Sequence, residues 1–331
     1  MTRVLVTGAN GFLAGNAITE LLRRGYQVRG MVRKTSRQMI RHSNLENFYG
    51  NITEEKDVTE AAKGCEIIMH IAAITDQSIA DYRVYERVNI GGTRNIIKAS
   101  LENKVRKVVY VSTANVFGYG TKAIPGDETR PMKPPFTGSG YAVSKAEAEQ
   151  LIIKKLRGSG AEITAVNPTF MIGPNDHKIS SNRIILRAAG KRILFIPPGG
   201  KNFIHVRDAA VGICNAIEHG KDGESYILAN ENLTYREFYS KLSGVIKQKP
   251  IVITIPKYLL LLAGLAGEIA RYAGINTELC MTNMKILCIG NYYCAGKALK
   301  FLNLPQTPAE KAIEEAISWF RNNLPFQPFF D

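Results

Sequence analysis

Two patterns in this chain have residue types and spacings suited to chemistry. Tyr141 stands four residues before Lys145 in Tyr141-Ala142-Val143-Ser144-Lys145, and a glycine-rich loop, Gly8-Ala9-Asn10-Gly11-Phe12-Leu13-Ala14-Gly15, opens the sequence. Residues four apart on a helix lie one turn above each other, so the phenol and the ammonium would point into one space. A nearby cation favours the phenolate and would draw a group that titrates near ~10 toward neutrality. A phenol so tuned can exchange a proton with an oxygen while hydride moves at the adjoining carbon. Tyrosine four before lysine is common on surface helices. The glycine loop in the same chain is what gives the pair a chemical reading.

The elements that must position these residues follow from the pattern around them. Arg3-Val4-Leu5-Val6-Thr7 reads as a short buried strand, and Ala17-Ile18-Thr19-Glu20-Leu21-Leu22 has helical spacing. Strand, glycine turn and helix form the context of a dinucleotide-binding fingerprint. Gly8 permits the tight turn, Gly11 lets the backbone approach a pyrophosphate, and Ala14 keeps helix and strand close. The helix amino terminus then faces the negative charge. Gly8, Asn10, Gly11, Phe12 and Leu13 are the candidate cofactor-binding residues of this loop. The second strand, Tyr26 to Val32, ends in Arg33-Lys34, with Arg37 close behind. An NAD site places an acid there for the ribose 2′-hydroxyl, whereas arginine accommodates a 2′-phosphate. NADP(H) is therefore expected, with NAD(H) as the alternative and a solvated basic turn as the bland one.

Strand-like and helix-like segments alternate as far as about Val166, which predicts an α/β fold with a doubly wound parallel sheet. Beyond Pro168 the pattern loosens, punctuated by Pro174, Pro197-Pro198-Gly199-Gly200 and Pro250. The expected division is a Rossmann domain of residues 1–167 plus about 203–229. A smaller, discontinuous substrate-binding lobe would take about 168–202 and 230–331. The apolar run from Pro256 to Gly267 falls well short of the ~20 residues of a membrane span. It reads as a buried lid helix, with an apolar substrate wall or a membrane-touching patch as alternatives. From Pro308 to Leu324 a helix is expected, with Ile313, Ala316, Ile317 and Phe320 on one face and Trp319 as packing.

At 331 residues, 45% hydrophobic and 22% charged, the chain has the composition of an ordinary globule. The start runs directly into a strand, so no signal peptide is expected and the cytoplasm is the default location. The formal net charge is +14, but the basic residues are spread along the chain without an arginine/aromatic motif. No nucleic-acid partner is expected; the charge reads as solubility plus attraction for a phosphorylated cofactor. The five cysteines make no paired spacing, and His70 and His205 fall inside apparent strands, so no metal site is expected.

With these motifs placed, the chain resembles the extended short-chain dehydrogenase/reductase family over nearly its whole length. It is most similar to the dihydroflavonol-reductase-like, 3β-hydroxysteroid dehydrogenase and epimerase/dehydratase branches. Gly64 to Ala73 resembles the family's fourth strand and the turn beneath the adenosine, which marks Ala72 and Ala73 as cofactor contacts. Val88 to Asn95 resembles its central helix, with Asn89 at the usual asparagine. Val109 to Gly118 resembles the strand bearing the catalytic hydroxyl, here on Thr113. Asn167-Pro168-Thr169 through Pro174 resembles the segment flanking the nicotinamide and implicates Pro168. Phe203 to Asp208 resembles the return into the sheet. Asn51-Ile52 stands where many members have an aspartate beside the adenine, and threonine replaces the commoner serine at 113.

The resemblance implies an NADPH-dependent reductase, or the reverse dehydrogenase, acting on a carbonyl or secondary alcohol of a small organic substrate. Tyr141 would be the general acid/base and Thr113 would bond the same oxygen. Lys145 would lower the phenol's pKa and hold the nicotinamide ribose, and Asn89 would serve in a relay or in packing. The alternative is a sugar-nucleotide epimerase or dehydratase that retains its cofactor. Lys201-Asn202 replaces the Arg-Asp pair common in those members, and Thr113-Ala114-Asn115 lacks an acidic pair. An NADP-sensing regulatory protein is the remaining reading, set against by the joint presence of Thr113, Tyr141 and Lys145. A homodimer is carried over by analogy alone.

Overall fold

From the amino end run β1 (Arg3–Thr7), α1 (Phe12–Arg23), β2 (Gln27–Val32), β3 (Leu45–Tyr49), α2 (Glu55–Ala62) and β4 (Ile67–His70). There follow α3 (Tyr82–Tyr85), α4 (Gly92–Glu102), β5 (Lys107–Val111), α5 (Gly140–Leu156) and β6 (Glu162–Pro168). The chain continues through β7 (Phe170–Ile172), α6 (Arg183–Leu186), β8 (Ile193–Ile196), β9 (Gly200–His205), α7 (Val206–His219) and β10 (Glu224–Leu228). It ends with β11 (Glu231–Thr234), α8 (Tyr235–Ile246), β12 (Ile251–Thr254), α9 (Lys257–Tyr272), α10 (Met281–Leu287), β13 (Gly290–Asn291), α11 (Gly296–Leu302) and α12 (Ala309–Asn323). The structure is a computed structural model and describes residues 2–36 and 40–323; Arg37 and Leu324, named above, lie outside the described residues.

Seven strands form one parallel sheet in the order β10-β6-β5-β4-β1-β2-β3. Its central strands are apolar on both faces because helices cover both faces. Leu13, Ala17, Ile18 and Leu21 of α1 pack with Ala209, Ala210, Ile213 and Ile217 of α7 on one side. Val58 and Ala61 of α2, Ile96 and Ile97 of α4, and Ala148 and Ile152 of α5 pack on the other. This is the doubly wound α/β sheet expected from the alternation. The chain order reverses between β1 and β4, which opens a crevice at the carboxyl ends of the strands.

The remaining strands make a four-stranded sheet, with β9 between β11 and β13 and β7 also paired to β9, and a parallel ribbon of β8 and β12. Phe203 stacks on Phe238 at 4.4 Å between ring centres, over the buried Ile313, Ala316, Ile317 and Phe320 of α12. The helical stripe read from the sequence is thus the lobe's core face. Trp319 packs edge-on against His177.

Three placements differ from the expectation. Phe203-Ile204-His205 completes β9, which pairs with β11 in the small sheet, so the chain returns toward the large sheet only from Val206 onward. The helix α11, grouped with the lobe by sequence, instead buries Ala298 and Leu302 in the core beneath α7 and β10. The third is α9, expected to be buried, which buries only Leu260, Gly264 and Gly267. Those two glycines form a flat seat for the chain entering α10. A Cβ at Gly267 would lie 1.1 Å from the Leu279 carbonyl oxygen. Close approach through glycine covers a narrow strip and leaves the rest of the apolar circumference outside. Among the described residues no helix is long and apolar enough to cross a membrane.

Candidate active site

The turn after β1 is built for close approach. Gly8 has φ +68, and a Cβ there would lie 3.0 Å from the Ala72 Cα just beyond β4. The Gly11 amide donates to the Gly8 carbonyl at 2.8 Å, and Gly11 caps α1 without a side-chain bond or an acid in the first turn. Gly8 therefore meets two demands at once, a left-handed backbone and missing bulk. The amino end of α1 presents its backbone N–H groups to this turn, the arrangement that favours an anion.

A buried chain of hydroxyls and one imidazole ties this turn to the centre of the sheet. Thr7 Oγ1 accepts the amide protons of Ile71 and Ala72, each at 3.1 Å. Its own proton must then go to His70 Nδ1 at 2.9 Å, which leaves His70 Nε2–H to donate to Thr93 Oγ1 at 3.2 Å. Thr93 in turn donates to the Asn89 carbonyl at 2.6 Å. Every position along the chain requires a neutral imidazole, and burial lowers the His70 pKa to about 3. His70 is a satisfied core histidine.

Asn89 lies in a π-helical turn, Glu86–Gly91, a local widening that sets its side chain against the loop after β4. Its Oδ1 accepts from the Ile74 amide at 2.8 Å, and its Nδ2 donates to the Ile74 carbonyl and to Ser144 Oγ. Ser144 donates to the Tyr141 carbonyl at 2.9 Å. Asn89 thus braces the first turn of α5, which is capped by Ser139, whose Oγ accepts from the Ala142 amide.

Thr113 follows β5 and caps a short 3-10 turn, its Oγ1 accepting from the Asn115 amide. Its hydroxyl also lies near the Tyr141 phenol, a contact that favours the phenolate. Burial outweighs that contact and pushes the phenol up to about 12. Lys145 is buried, donates to the Val111 carbonyl at 2.7 Å and sits 4.2 Å from the centre of the Tyr110 ring. Burial brings its pKa down to about 7, against the attraction of Glu149. The expected lowering of the phenol by Lys145 is therefore not what this structure displays. Both groups lie in a low-dielectric environment, where desolvation disfavours each charged form. Glu149, one further turn along α5, accepts from Asn167 Nδ2 at 2.8 Å and Ser225 Oγ at 2.6 Å, and its pKa is raised by burial. The Asn167 amide also reaches the Thr113 carbonyl at 3.3 Å. Asn167 and Glu149 were not among the residues singled out by sequence. The four-residue step from Lys145 to Glu149 on α5 could have found Glu149; Asn167 comes to it only through the pairing of β6.

Parallel pairing gathers the remaining candidates along the same strand ends. Asn10, Phe12 and Leu13 belong to the glycine turn and the start of α1. Arg33 and Lys34 leave β2 exposed, and the Lys178 pKa is lowered by burial and, secondarily, by the charge of Arg33, so a basic corner forms from two distant segments. Asn51 and Ile52 follow β3. Asn51 accepts from the Thr53 amide, and Ile52 accepts from Asn95 Nδ2 and packs against Gly92. Ala73 follows Ala72 beyond β4, and Pro168 ends β6 in register with Leu228.

Comparison with known proteins gives the family. Residues 4–229 match the family model described as NAD dependent epimerase/dehydratase family. The chain belongs to that family. Its members of the extended short-chain dehydrogenase/reductase type are NAD(P)-dependent oxidoreductases and dehydratases, and this epimerase/dehydratase-family chain is an enzyme of that type. It is 31% identical to the protein named "Putative dihydroflavonol 4-reductase" of Synechocystis sp., covering 96% of this chain and 94% of that one. It is 27% identical to sterol demethylase protein B of Methylococcus capsulatus, over 96% of this chain and 98% of that one. The crystal structure of gox2253 superposes with a TM-score of 0.85 at 31% identity, covering 99% of this chain and 100% of that one. The UDP-glucose 4-epimerase of Thermus thermophilus, solved with NAD, shares the fold with a TM-score of 0.77 at 19% identity, over 98% of this chain and 100% of that one.

Proposed function

We propose that this family member is an NADPH-dependent carbonyl reductase, or the reverse alcohol dehydrogenase, for a small organic substrate, with Tyr141 as the proton donor. The observation that carries the reading is the approach of the Thr113 hydroxyl to the Tyr141 phenol, close enough to favour the phenolate, at the carboxyl edge of the sheet. Two hydroxyls converging on one point can hold a single carbonyl oxygen. A phenol at about 12 keeps its proton at neutral pH and is therefore loaded to deliver it to a forming alkoxide. Lys145, one turn along α5, would hold the nicotinamide ribose, and Asn89 keeps that turn in place through Ser144.

The residues present fit a phosphorylated dinucleotide. A Cβ would fill the cradle at Gly8, and the end of β2 offers Arg33 with Lys178 near it and no acid. Gly8, Gly11, Phe12 and Leu13 would receive the pyrophosphate, Arg33 and Lys34 the 2′-phosphate, and Asn51, Ile52, Ala72 and Ala73 the adenosine. Pro168 would border the nicotinamide. The cofactor, when bound, supplies the hydride.

The test is to denature purified protein, identify any released nucleotide, and titrate the emptied protein with NADPH and NADH, followed by a carbonyl-substrate screen. NADPH should bind roughly tenfold or more tighter, about 1.4 kcal/mol, and Arg33→Ala should remove that preference. Tightly retained NAD⁺ that does not exchange would refute this reading in favour of an epimerase or dehydratase.

A further inference from the structure

Among the described residues, a long apolar surface without a partner lies on the lobe. Along α9 the exposed large apolar side chains are Tyr258 (64% exposed), Leu259, Leu262, Leu265, Ile269 (66%) and Tyr272 (98%). Their spacing is helical, and they cover the face opposite the glycine strip that seats α10. Two residues upstream of α9, the β8–β12 ribbon repeats the pattern. Leu194 and Ile196 point into the lobe core, while Ile193 and Phe195 (65% exposed) face outward beside Ile251 and Ile253. A strand apolar on both faces should be covered on both.

The charge around this surface is mainly of one sign; the one acid of α9, the exposed Glu268, is engaged by the Met281 amide. Residues 177–207 and 238–267, which supply the ribbon and most of α9, contain no aspartate or glutamate. Lys191 and Arg192 precede β8, Lys247 and Lys249 precede β12, and Lys257 opens α9; all five are exposed. None of them forms an ion pair with another described residue. A two-fold contact between copies would set these cations against themselves. An anionic lipid surface meets both demands, taking apolar side chains into its acyl boundary and cations at its headgroups. The tyrosines at the two ends of the α9 face suit the same boundary, where one end of a ring is apolar and the other wet.

We propose that α9 and the β8–β12 ribbon form a docking surface for an anionic lipid bilayer, which the protein touches peripherally. The experiment is co-sedimentation of the full chain with vesicles of phosphatidylcholine, alone or mixed with phosphatidylglycerol, at low and high salt. The expected result is sedimentation with the mixed vesicles only, weakening with salt. Leu262→Asp with Ile269→Asp, and separately Lys247→Glu with Lys249→Glu, should each reduce partitioning by about tenfold or more. The second pair changes only exposed side chains, and thermal melting by circular dichroism checks that both variants are folded. Protein left in the supernatant with mixed vesicles, equal binding to both compositions, or unchanged partitioning of folded variants would each overturn the proposal. A concentration-dependent dimer disrupted by Leu262→Asp, without vesicle binding, would overturn it and assign the face to a second copy.

Discussion

Lys145→Met separates the energetic cost of the site from its chemistry. In the folded protein Lys145 is 2% exposed, and its pKa falls from 10.5 to about 7. The unfolded chain thus binds this proton more tightly than the folded one. A base depressed by folding destabilises most below about pH 7 and is relieved as pH rises toward its unfolded value. At about 1.4 kcal/mol per pH unit, the full penalty is about 4 to 5 kcal/mol, of which about 2 kcal/mol should be relieved between about pH 7 and about pH 9. The side chain is almost wholly buried, so solvent screening takes little from that figure. The methionine keeps the apolar stem without the charge. Loss of the bond to the Val111 carbonyl adds an offset with little pH dependence, so the slope carries the test. Urea denaturation of both proteins across that window should show wild-type stability gaining on the variant as pH rises, while turnover by the variant is lost. A stability difference that stays flat from about pH 7 to about pH 9 would refute the idea that burial dominates at Lys145.

Three further outcomes follow from named contacts. Tyr141→Phe should lower turnover roughly 10²–10⁴-fold while nucleotide affinity stays within a factor of about two, read by steady-state kinetics and by titration. Gly8→Ala places a Cβ at φ +68 against Ala72; it should cost about 1–2 kcal/mol in a denaturation midpoint, with a larger loss in nucleotide affinity. Asn89→Leu strips both backbone partners from Ile74 and should destabilise by about 1–3 kcal/mol, with kcat falling more than nucleotide affinity. Unchanged kcat in that folded variant would reduce Asn89 to packing.

The local units were legible in the order of the residues. The run from Arg3 to Thr7, the glycines at 8 and 11 and the stripe of α1 made a strand, a turn and a helix, because chain geometry at short range is set by side-chain period and by glycine's backbone freedom. The same short-range logic placed Tyr141 above Lys145 on α5 and lined up Ile313, Ala316, Ile317 and Phe320 on α12. Periodicity says which face of an element is apolar; it does not say what covers it. Only the tertiary structure brought Thr113 to Tyr141, turned Lys145 toward Val111 and Tyr110, and set Glu149 against Asn167 and Ser225. Only there did α11 join the core beneath α7 while α9, the more apolar helix, stayed outside. The pKa values also belong to that level. Four-residue spacing predicted an electrostatic pull on the phenol, but removal from water acts on each group separately, and in this site burial is the larger effect.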